Sequence, residues 1–370
     1  MKIEKAISQN DLGSRFDNML HYYNEKHSDE LLHLIIIPSY TCNFDCSYCY
    51  ERKNKYVMDK STLESIEKFL MKNTKNYENI FIEWFGGEPL LFLNIIERIM
   101  CYTKKVTNNN IFSHVTTNGY DLNQNNVTRL LKCGVNSYTV TIDGVESYHD
   151  STRYLLGNKP SFNRIFNNLK ELKDTDLDFE IRLRCNLTYS NIKGVSDLIE
   201  LWHYKFKDDS RFNDIDIRAV ANYNSNVNQK TEFIEDEDLK KIRNELLLKA
   251  RKYRIFDQTM FHFNEEGSSI CYASEKNSMT ISPSGKILKC SIALEDDDMN
   301  IVGYISKDGE IQYNNNINLW INPKLRKLEC CETCNKLITC FNSSCPLSYL
   351  KGYKTCALHY DYYNYIESMK

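Results

Sequence analysis

The sequence predicts an α/β protein: a partial, TIM-like (β/α)6 barrel followed by a small cysteine-rich domain. Between about residues 31 and 222, short apolar runs alternate with longer amphipathic runs, as in repeated β–α–β units with a parallel sheet. A complete eight-stranded barrel takes about 250 residues, and only six strand-like runs occur before the pattern fades. From about residue 265 the chain becomes rich in cysteines, short strands and turns.

The alternation gives each element in order. The predicted strands are residues 34–38, 80–85, 112–116, 137–142, 179–187 and 214–220. The predicted helices are residues 61–73, 91–106, 123–132, 162–173, 195–206 and 236–253. Ser61 is the expected N-cap of the first helix, because Glu64 three residues later completes a capping-box pattern.

Composition shifts set the expected domain limits. We predict an N-terminal segment (1–30), a barrel (31–225), a helical connector (226–264) and a cysteine-rich domain (265–370). The polar, turn-prone run at 222–229 supports the boundary between the barrel and the helical connector.

Charge and cysteine content narrow the class of protein. A net charge of -3 gives no basic footprint for nucleic acid. The N-terminus is too polar for a signal peptide, and no apolar run is long enough to span a bilayer, so we expect a cytoplasmic protein. Fourteen cysteines in a reducing compartment point to metal binding or catalysis rather than disulfides. Cys101, Cys133 and Cys185 lie in helix or strand contexts and are expected to be buried apolar residues.

Cys42, Cys46 and Cys49 offer three thiolates from one short loop at the end of the first strand. Three is one fewer than the irons of a cubane cluster, which leaves one iron open for a small molecule. The alternative is a zinc loop with a fourth ligand elsewhere, although zinc sites usually use pairs two residues apart.

This CxxxCxxC motif, with the aromatic Tyr48 before its last cysteine, resembles the signature of the radical S-adenosylmethionine (radical SAM) enzymes. The resemblance implies a [4Fe–4S] cluster on the three thiolates, with S-adenosylmethionine (AdoMet) chelating the fourth iron. It also implies cleavage of AdoMet to a 5′-deoxyadenosyl radical that takes hydrogen from a substrate. The barrel is the fold that this family implies.

Three further strand ends resemble AdoMet-binding elements of that family. Gly86-Gly87-Glu88-Pro89 matches its GGEP motif, which implies that Gly87 and Glu88 bind the amino group; a plain turn is the alternative. Asn118 resembles a TNG element, or is a simple Asn-Gly turn.

The fourth strand ends Thr141-Ile142-Asp143-Gly144, and His149 and Arg153 follow. This stretch resembles the S-x-D-G…H…R stretch of peptide-modifying members, which implies AdoMet contacts from Thr141 and Arg153. A planar guanidinium suits a carboxylate, whereas we expect a structural role for His149.

Within the fifth strand, Arg184 is a candidate to point into the barrel. Arg182 lies two residues earlier on the same face, so strand alternation does not choose between them. No catalytic side chain is identified from the sequence.

The C-terminal cysteines resemble the SPASM domain, an extension of radical SAM enzymes that holds one or two auxiliary [4Fe–4S] clusters. Every specified interval fits except Cys340 to Cys345, which has four intervening residues instead of three. Two zinc sites are the alternative, because thiolate sets suit both. The matching residues are Cys271, Cys290, Cys331, Cys334, Cys340, Cys345 and Cys356.

The resemblance implies two ligand sets. Cys331, Cys334, Cys340 and Cys356 would hold one cluster, and Cys271, Cys290 and Cys345 the other. Sulfatase-maturing relatives have a further cysteine between the first two SPASM positions, and residues 272–289 contain none. The second set therefore has an open iron or takes Cys330.

The expected function is radical modification of a ribosomally synthesised peptide, installing a thioether, carbon–carbon or similar crosslink. Sulfatase maturases carry an Asp after the second SPASM cysteine, and Ser291 stands there, which disfavours formylglycine formation as the alternative. A non-catalytic iron–sulfur or zinc protein is a further alternative. The expected partners are a precursor peptide and a reductant such as flavodoxin or ferredoxin, with no nucleic acid or membrane.

Overall fold

The computed structural model describes residues 30–51, 55–220, 234, 236–256, 271–321 and 345–351. The predicted fold class is confirmed: helices alternate with the strands of a mostly parallel, open sheet. The strands are β1 (Leu31–Ile36), β2 (Asn79–Trp84), β3 (Asn110–Thr117), β4 (Ser137–Thr141), β5 (Glu180–Leu187), β6 (Asp214–Ala219), β7 (Ser278–Ile281), β8 (Lys286–Leu288), β9 (Ile301–Ile305) and β10 (Ile311–Tyr313).

The predicted helices also form, within a few residues of their expected ends, and three short helices add to them. The helices are α1 (Lys60–Asn73), α2 (Leu93–Val106), α3 (Gln124–Cys133), α4 (Glu146–Thr152), α5 (Phe162–Lys173), α6 (Ile192–Phe206), α7 (Asp236–Lys252), α8 (Ile317–Ile321) and α9 (Pro346–Leu350).

The N-cap predicted for α1 is wrong. Helix α1 begins one residue earlier, and Asp59 caps it by accepting a 2.8 Å hydrogen bond from the Thr62 backbone N–H. An aspartate caps at least as well as a serine, so Asp59 takes the position and Ser61 falls inside the first turn.

The sheet has the strand order β10-β9-β8-β7-β1-β2-β3-β4-β5-β6. Strands β1 to β6 are parallel neighbours in chain order, which places the right-handed helical crossovers on one face. Strand β7 joins β1 in parallel, and β8, β9 and β10 follow antiparallel. The cysteine-rich part thus extends the barrel's sheet; the four domain limits themselves stay predictions.

The two faces of the barrel sheet differ in chemistry. The face toward the helices is apolar and belongs to the main core, with Trp84, Val115 and Leu183 fully buried. The opposite, inner face carries polar and charged side chains at alternate positions. Those on the inner face include His33, Glu83, His114, Thr139, Arg182, Arg184, Asp214 and Asp216.

Two of the three isolated cysteines behave as expected. Cys133 and Cys185 are buried, but Cys101 is exposed, so that prediction is wrong. Cys101 lies on the outer side of α2, whereas the buried apolar residues of that helix face the sheet. Within the ranges described, no helix is long and apolar enough to cross a membrane.

Candidate active site

The cysteine loop lies at the carboxyl end of β1, where parallel barrels carry their active sites. Cys42, Cys46 and Cys49 are each partly buried. The backbone of the segment after β4 holds the loop: Asp45 N–H donates to the Tyr154 carbonyl at 2.8 Å, and Ser47 N–H to the Thr152 carbonyl at 2.9 Å.

The two glycines of the GGEP motif lie directly against this loop. A Cβ on Gly87 would stand 2.3 Å from the Thr41 carbonyl oxygen, and Gly86 has φ +114. The Gly87 N–H donates to Ser39 O at 3.2 Å and the Glu88 N–H to Thr41 O at 3.0 Å. The missing side chains therefore let two backbone segments meet closely. In this structure the partner is the cysteine loop.

Glu88 is a buried carboxylate that faces three hydrogen-bond donors. It accepts from Thr117 Oγ1 at 2.7 Å, from Asn118 N–H at 2.7 Å and from Leu90 N–H at 3.0 Å. Burial raises the pKa of Glu88 to about 7 despite these bonds. A cation placed next to this carboxylate would favour its ionised form, as an ammonium group would.

Asn118 and Thr141 are both buried at the same end of the sheet. The Asn118 side chain reaches the cysteine loop by donating to Asn43 Oδ1 at 2.8 Å, and its Nδ2 lies 4.0 Å from the Cys42 sulfur. Thr141 is the last residue of β4. The structure thus places Asn118 beside the loop and Thr141 at the same end of the sheet.

Tyr48, which precedes the last cysteine of the loop, anchors that loop to β4 and β5 through its hydroxyl. Arg153 Nη1 donates to the hydroxyl at 2.7 Å and Asn186 Nδ2 at 3.0 Å, while the hydroxyl donates to Asp143 Oδ2. Asn186 N–H also donates to Asp143 Oδ1 at 2.8 Å. The hydroxyl therefore uses its full hydrogen-bonding capacity.

Arg153 lies beneath the loop, with its guanidinium 5.6 Å from the Phe44 ring centroid and its Nε 4.0 Å from Asp143 Oδ2. Within the described part of the chain, the buried Arg153 Nε has no hydrogen-bond partner. A buried donor without a partner is costly, so this N–H fits an acceptor on a bound molecule, such as the AdoMet carboxylate.

His149 links these residues from below and stays neutral. Its Nδ1 accepts from Asp143 N–H at 3.2 Å, and its Nε2 lies 3.0 Å from Ser161 Oγ, which donates to the Arg153 carbonyl at 2.6 Å. Burial lowers the pKa of His149, and the Arg153 charge lowers it further. These contacts agree with the structural role expected for this histidine.

Three thiols from one loop suit a cubane cluster, which takes one thiolate per iron. Among the described residues, no three His, Cys, Asp or Glu side chains are grouped as ligands of one metal ion. A zinc ion needs its thiolates around one point at about 2.3 Å, whereas a cubane takes one thiolate per iron. Burial, then the nearby Glu88 charge, raises the pKa of Cys42 to about 12, so its thiolate form would need a nearby positive charge such as a metal centre.

A second cysteine group lies on the other side of β1. Cys271 precedes β7, Cys290 follows β8, and Cys345 precedes α9. Burial raises the pKa of Cys290, and Cys345 is close enough to raise it further. The Tyr272 hydroxyl, which contacts Ser291 Oγ at 2.8 Å, interacts with both Cys290 and Cys271. The other predicted ligands lie outside the described residues: Cys330, Cys331, Cys334, Cys340 and Cys356.

The model of the Radical SAM superfamily matches residues 36–197, somewhat under half of the chain. Residues 36–197 are a radical SAM domain. Domains of this type use AdoMet and a [4Fe–4S] cluster. The match spans the cysteine loop, the GGEP motif and the β4–α4 segment, so the sequence prediction of the family is confirmed.

Curated relatives match a similar share of the chain, and a solved structure covers most of it. The sporulation killing factor maturation protein SkfB of Bacillus subtilis is 29% identical over 160 residues, which cover 43% of this chain and 36% of SkfB. A cysteine-type anaerobic sulfatase-maturating enzyme of Clostridium novyi is 28% identical over 193 residues, 49% of this chain and 50% of the enzyme. The chain thus spans half or less of these two relatives.

The structure of native anSMEcpe with bound AdoMet and the Cp18Cys peptide has a TM-score of 0.68 at 19% identity. It covers 91% of this chain and 98% of that chain. At this identity the likeness shows a shared fold.

Sequence reasoning missed Asn186 and did not assign a role to Asp143. Asp143 stood inside a quoted motif, but its role depends on Tyr48, 95 positions earlier. Asn186 follows the arginines on the inner face of β5, and that alternation was the only signal available.

Proposed function

We propose that the protein is a radical SAM enzyme that modifies a ribosomally synthesised peptide and installs a crosslink, such as a thioether or a carbon–carbon bond. The observation that carries the proposal is the convergence of the cysteine loop, Glu88 and the orphaned Arg153 N–H at one end of the barrel. When bound, the cluster and AdoMet would supply a 5′-deoxyadenosyl radical for hydrogen abstraction.

The chain's own residues would bind and orient. Cys42, Cys46 and Cys49 would hold the cluster. Glu88 would bind the AdoMet ammonium group. Burial disfavours the ionised form of this carboxylate, and a bound cation would favour it again. Arg153 would take the AdoMet carboxylate through its free Nε. The remaining contacts that we propose come from Tyr48, Gly87, Asn118 and Thr141.

Peptide modification is favoured over formylglycine formation by the surroundings of Cys290. Ser291 accepts or donates a hydrogen bond with the Tyr272 hydroxyl, and its N–H donates to the same oxygen at 2.9 Å. Neither a serine nor a tyrosine with a raised pKa takes a proton at neutral pH. SkfB, named as a maturation protein of a killing factor, supports a peptide substrate.

The second cysteine group is the proposed auxiliary iron–sulfur site that assists oxidation. We retain Cys271, Cys290 and Cys345 as ligands of one cluster. Cys331, Cys334, Cys340 and Cys356, which lie outside the described residues, remain the proposed ligands of a second. A cytoplasmic location and a flavodoxin- or ferredoxin-type reductant complete the proposal.

The test is AdoMet cleavage by anaerobically reconstituted protein with dithionite, measured as 5′-deoxyadenosine. Wild type should form it and Cys46→Ala should not, because one cluster ligand is lost. Cys101→Ala, an exposed thiol on α2, is the matched control and should behave as wild type. Cleavage that survives in Cys46→Ala, or is absent in wild type with a full cluster, would overturn the assignment and favour a non-catalytic iron–sulfur or zinc protein.

A further inference from the structure

The inner wall of β5 and β6 presents two arginines that differ in how they are paired. Arg182 and Arg184 lie on the same face of β5, opposite Asp214 and Asp216 of β6 in the strand register. Each arginine pairs with the aspartate across from it, at 2.5 Å for Arg182 and 2.6 Å for Arg184.

The two ion pairs use different nitrogens. Arg182 donates its Nε to Asp214 Oδ2, so that N–H is satisfied. Arg184 reaches Asp216 through Nη2, and both oxygens of that carboxylate also accept from Arg218 Nε at 3.1 Å. The Arg184 Nε is buried and has no hydrogen-bond partner among the residues that the structure describes. The native fold thus leaves a buried, charged N–H donor without an acceptor at Arg184 but not at Arg182. Such a donor costs free energy unless a bound molecule supplies an acceptor.

Arg184 lies next to the proposed cofactor site, but on a different part of the wall. It pairs in register with Thr141 of β4, and Asn186 on the same face of β5 donates to Tyr48. The other AdoMet residues that we propose follow β1, β2, β3 and β4. The β5–β6 wall therefore faces the space beside that site, where a substrate must approach.

We infer that Arg184 binds a carboxylate of the substrate: an acidic side chain or the terminal carboxylate of the peptide. A guanidinium engages carboxylates through several N–H groups at once, and among the described residues the buried Nε–H of Arg184 has no acceptor. The inference rests on the proposed function, because it identifies a recognition element of the same substrate. Strand alternation alone did not distinguish Arg184 from Arg182, and the substrate contact is thereby assigned to Arg184.

The test uses two small probes that differ in one group: N-acetyl-glutamic acid α-amide and N-acetyl-glutamine α-amide. Their binding to AdoMet-loaded, reconstituted protein is measured anaerobically by ligand-observed NMR. Wild type should prefer the carboxylate probe by about tenfold, the usual size of a charged hydrogen-bond contact. Arg184→Gln should abolish the preference, and Arg184→Lys should keep part of it because the charge remains without the planar fork.

Arg182→Gln is the matched control: it removes the same charge from the same face of β5 and should keep the preference of wild type. Thermal unfolding checks that each variant is folded. Equal binding of both probes by wild type, or a preference that survives in Arg184→Gln, would overturn the inference.

AdoMet affinity tests whether Arg184 binds the carboxylate of AdoMet instead of a carboxylate of the substrate. A loss of AdoMet binding in Arg184→Gln, with the probe preference intact, would place the carboxylate on the cofactor instead and also overturn the inference. If the proposed function is wrong, wild type forms no 5′-deoxyadenosine. That result does not depend on how the two probes bind.

Discussion

The two cysteine groups are built in different ways. Cys42, Cys46 and Cys49 belong to one loop, and backbone hydrogen bonds to residues near β2 and β4 hold that loop in place. Cys271, Cys290 and Cys345 come from three separate segments, and the first two flank the β7–β8 hairpin that extends the sheet beyond β1. The first group depends on local spacing and close backbone packing, and the second on long-range strand pairing. Substitutions should therefore separate the two.

The largest effect is expected from Gly87→Ala. Its new Cβ would overlap the Thr41 and Tyr40 carbonyl oxygens, at 2.3 and 2.7 Å, so the cysteine loop must move. Iron content, measured after anaerobic reconstitution, should fall at the loop site, and 5′-deoxyadenosine formation should be lost.

Gly157→Ala serves as the control for that substitution. A Cβ there meets nothing within 4 Å, so only its positive φ of +83 is strained, at a cost of about 1 kcal/mol. Normal cleavage by Gly87→Ala would mean that the loop does not need the close packing seen here.

Cys345→Ala should impair the second cysteine group and leave the first intact. Because Cys345 belongs to the second group, AdoMet cleavage without substrate should persist, whereas modification of the peptide should fall to a small fraction of wild type. Mass spectrometry of the peptide and chromatography of 5′-deoxyadenosine measure the two activities on one sample. Full product formation would exclude Cys345 from the chemistry, and loss of cleavage would show that the two groups are not separable.

Tyr48→Phe should have a smaller effect, confined to the first group. The change leaves Asn186 Nδ2, Arg153 Nη1 and an Asp143 oxygen without their shared partner. We expect AdoMet binding to weaken on the order of tenfold, with a lower melting temperature. Equilibrium dialysis with labelled AdoMet measures this, and Tyr204→Phe, a 72% exposed tyrosine on α6, should change nothing. Unchanged affinity would show that the hydroxyl does not position Arg153.

The smallest effect concerns pH. The pKa of Glu88 is about 7 in the folded chain against 4.5 for an exposed glutamate, so the folded state keeps its proton while the unfolded state loses it. Stability of the cluster-free protein should therefore fall as pH rises from about 4.5 to 7, by at most about 1.4 kcal/mol per pH unit from this group.

Glu88→Gln tests the sign of that effect. The amide cannot titrate, so the difference in unfolding free energy between wild type and variant should shrink steadily from pH 5 to pH 7 and then level off. Profiles that run parallel across this range would show that Glu88 is ionised throughout.

The sequence predicted what depends on short-range patterns. Alternation located the six barrel strands, and the fixed spacing of Cys42, Cys46 and Cys49 predicted the loop site and its family. It did not predict the capping of α1 by Asp59, because several residues in one turn compete for that position.

Contacts between distant residues were the other gap. Tyr48, Asp143 and Asn186 meet only after three strands have folded, and Arg182 and Arg184 differ only in which nitrogen reaches an aspartate. Periodicity assigns a residue to a face of a strand, but it does not say which atoms meet there. The pairing of β7 with β1 was missed for the same reason.

That pairing has a consequence for how the protein can be dissected. Strand β1 lies between β2 and β7, so its backbone groups are bonded on both sides. A fragment that ends before residue 271 would leave His33–Ile36 of β1 without their partners in β7, and the sequence of that strand, LLHLII, is almost entirely apolar. Such an edge invites pairing with other molecules and aggregation. The cysteine-rich part is thus also the cover of the barrel, and neither part can be expected to stay dispersed in water without the other.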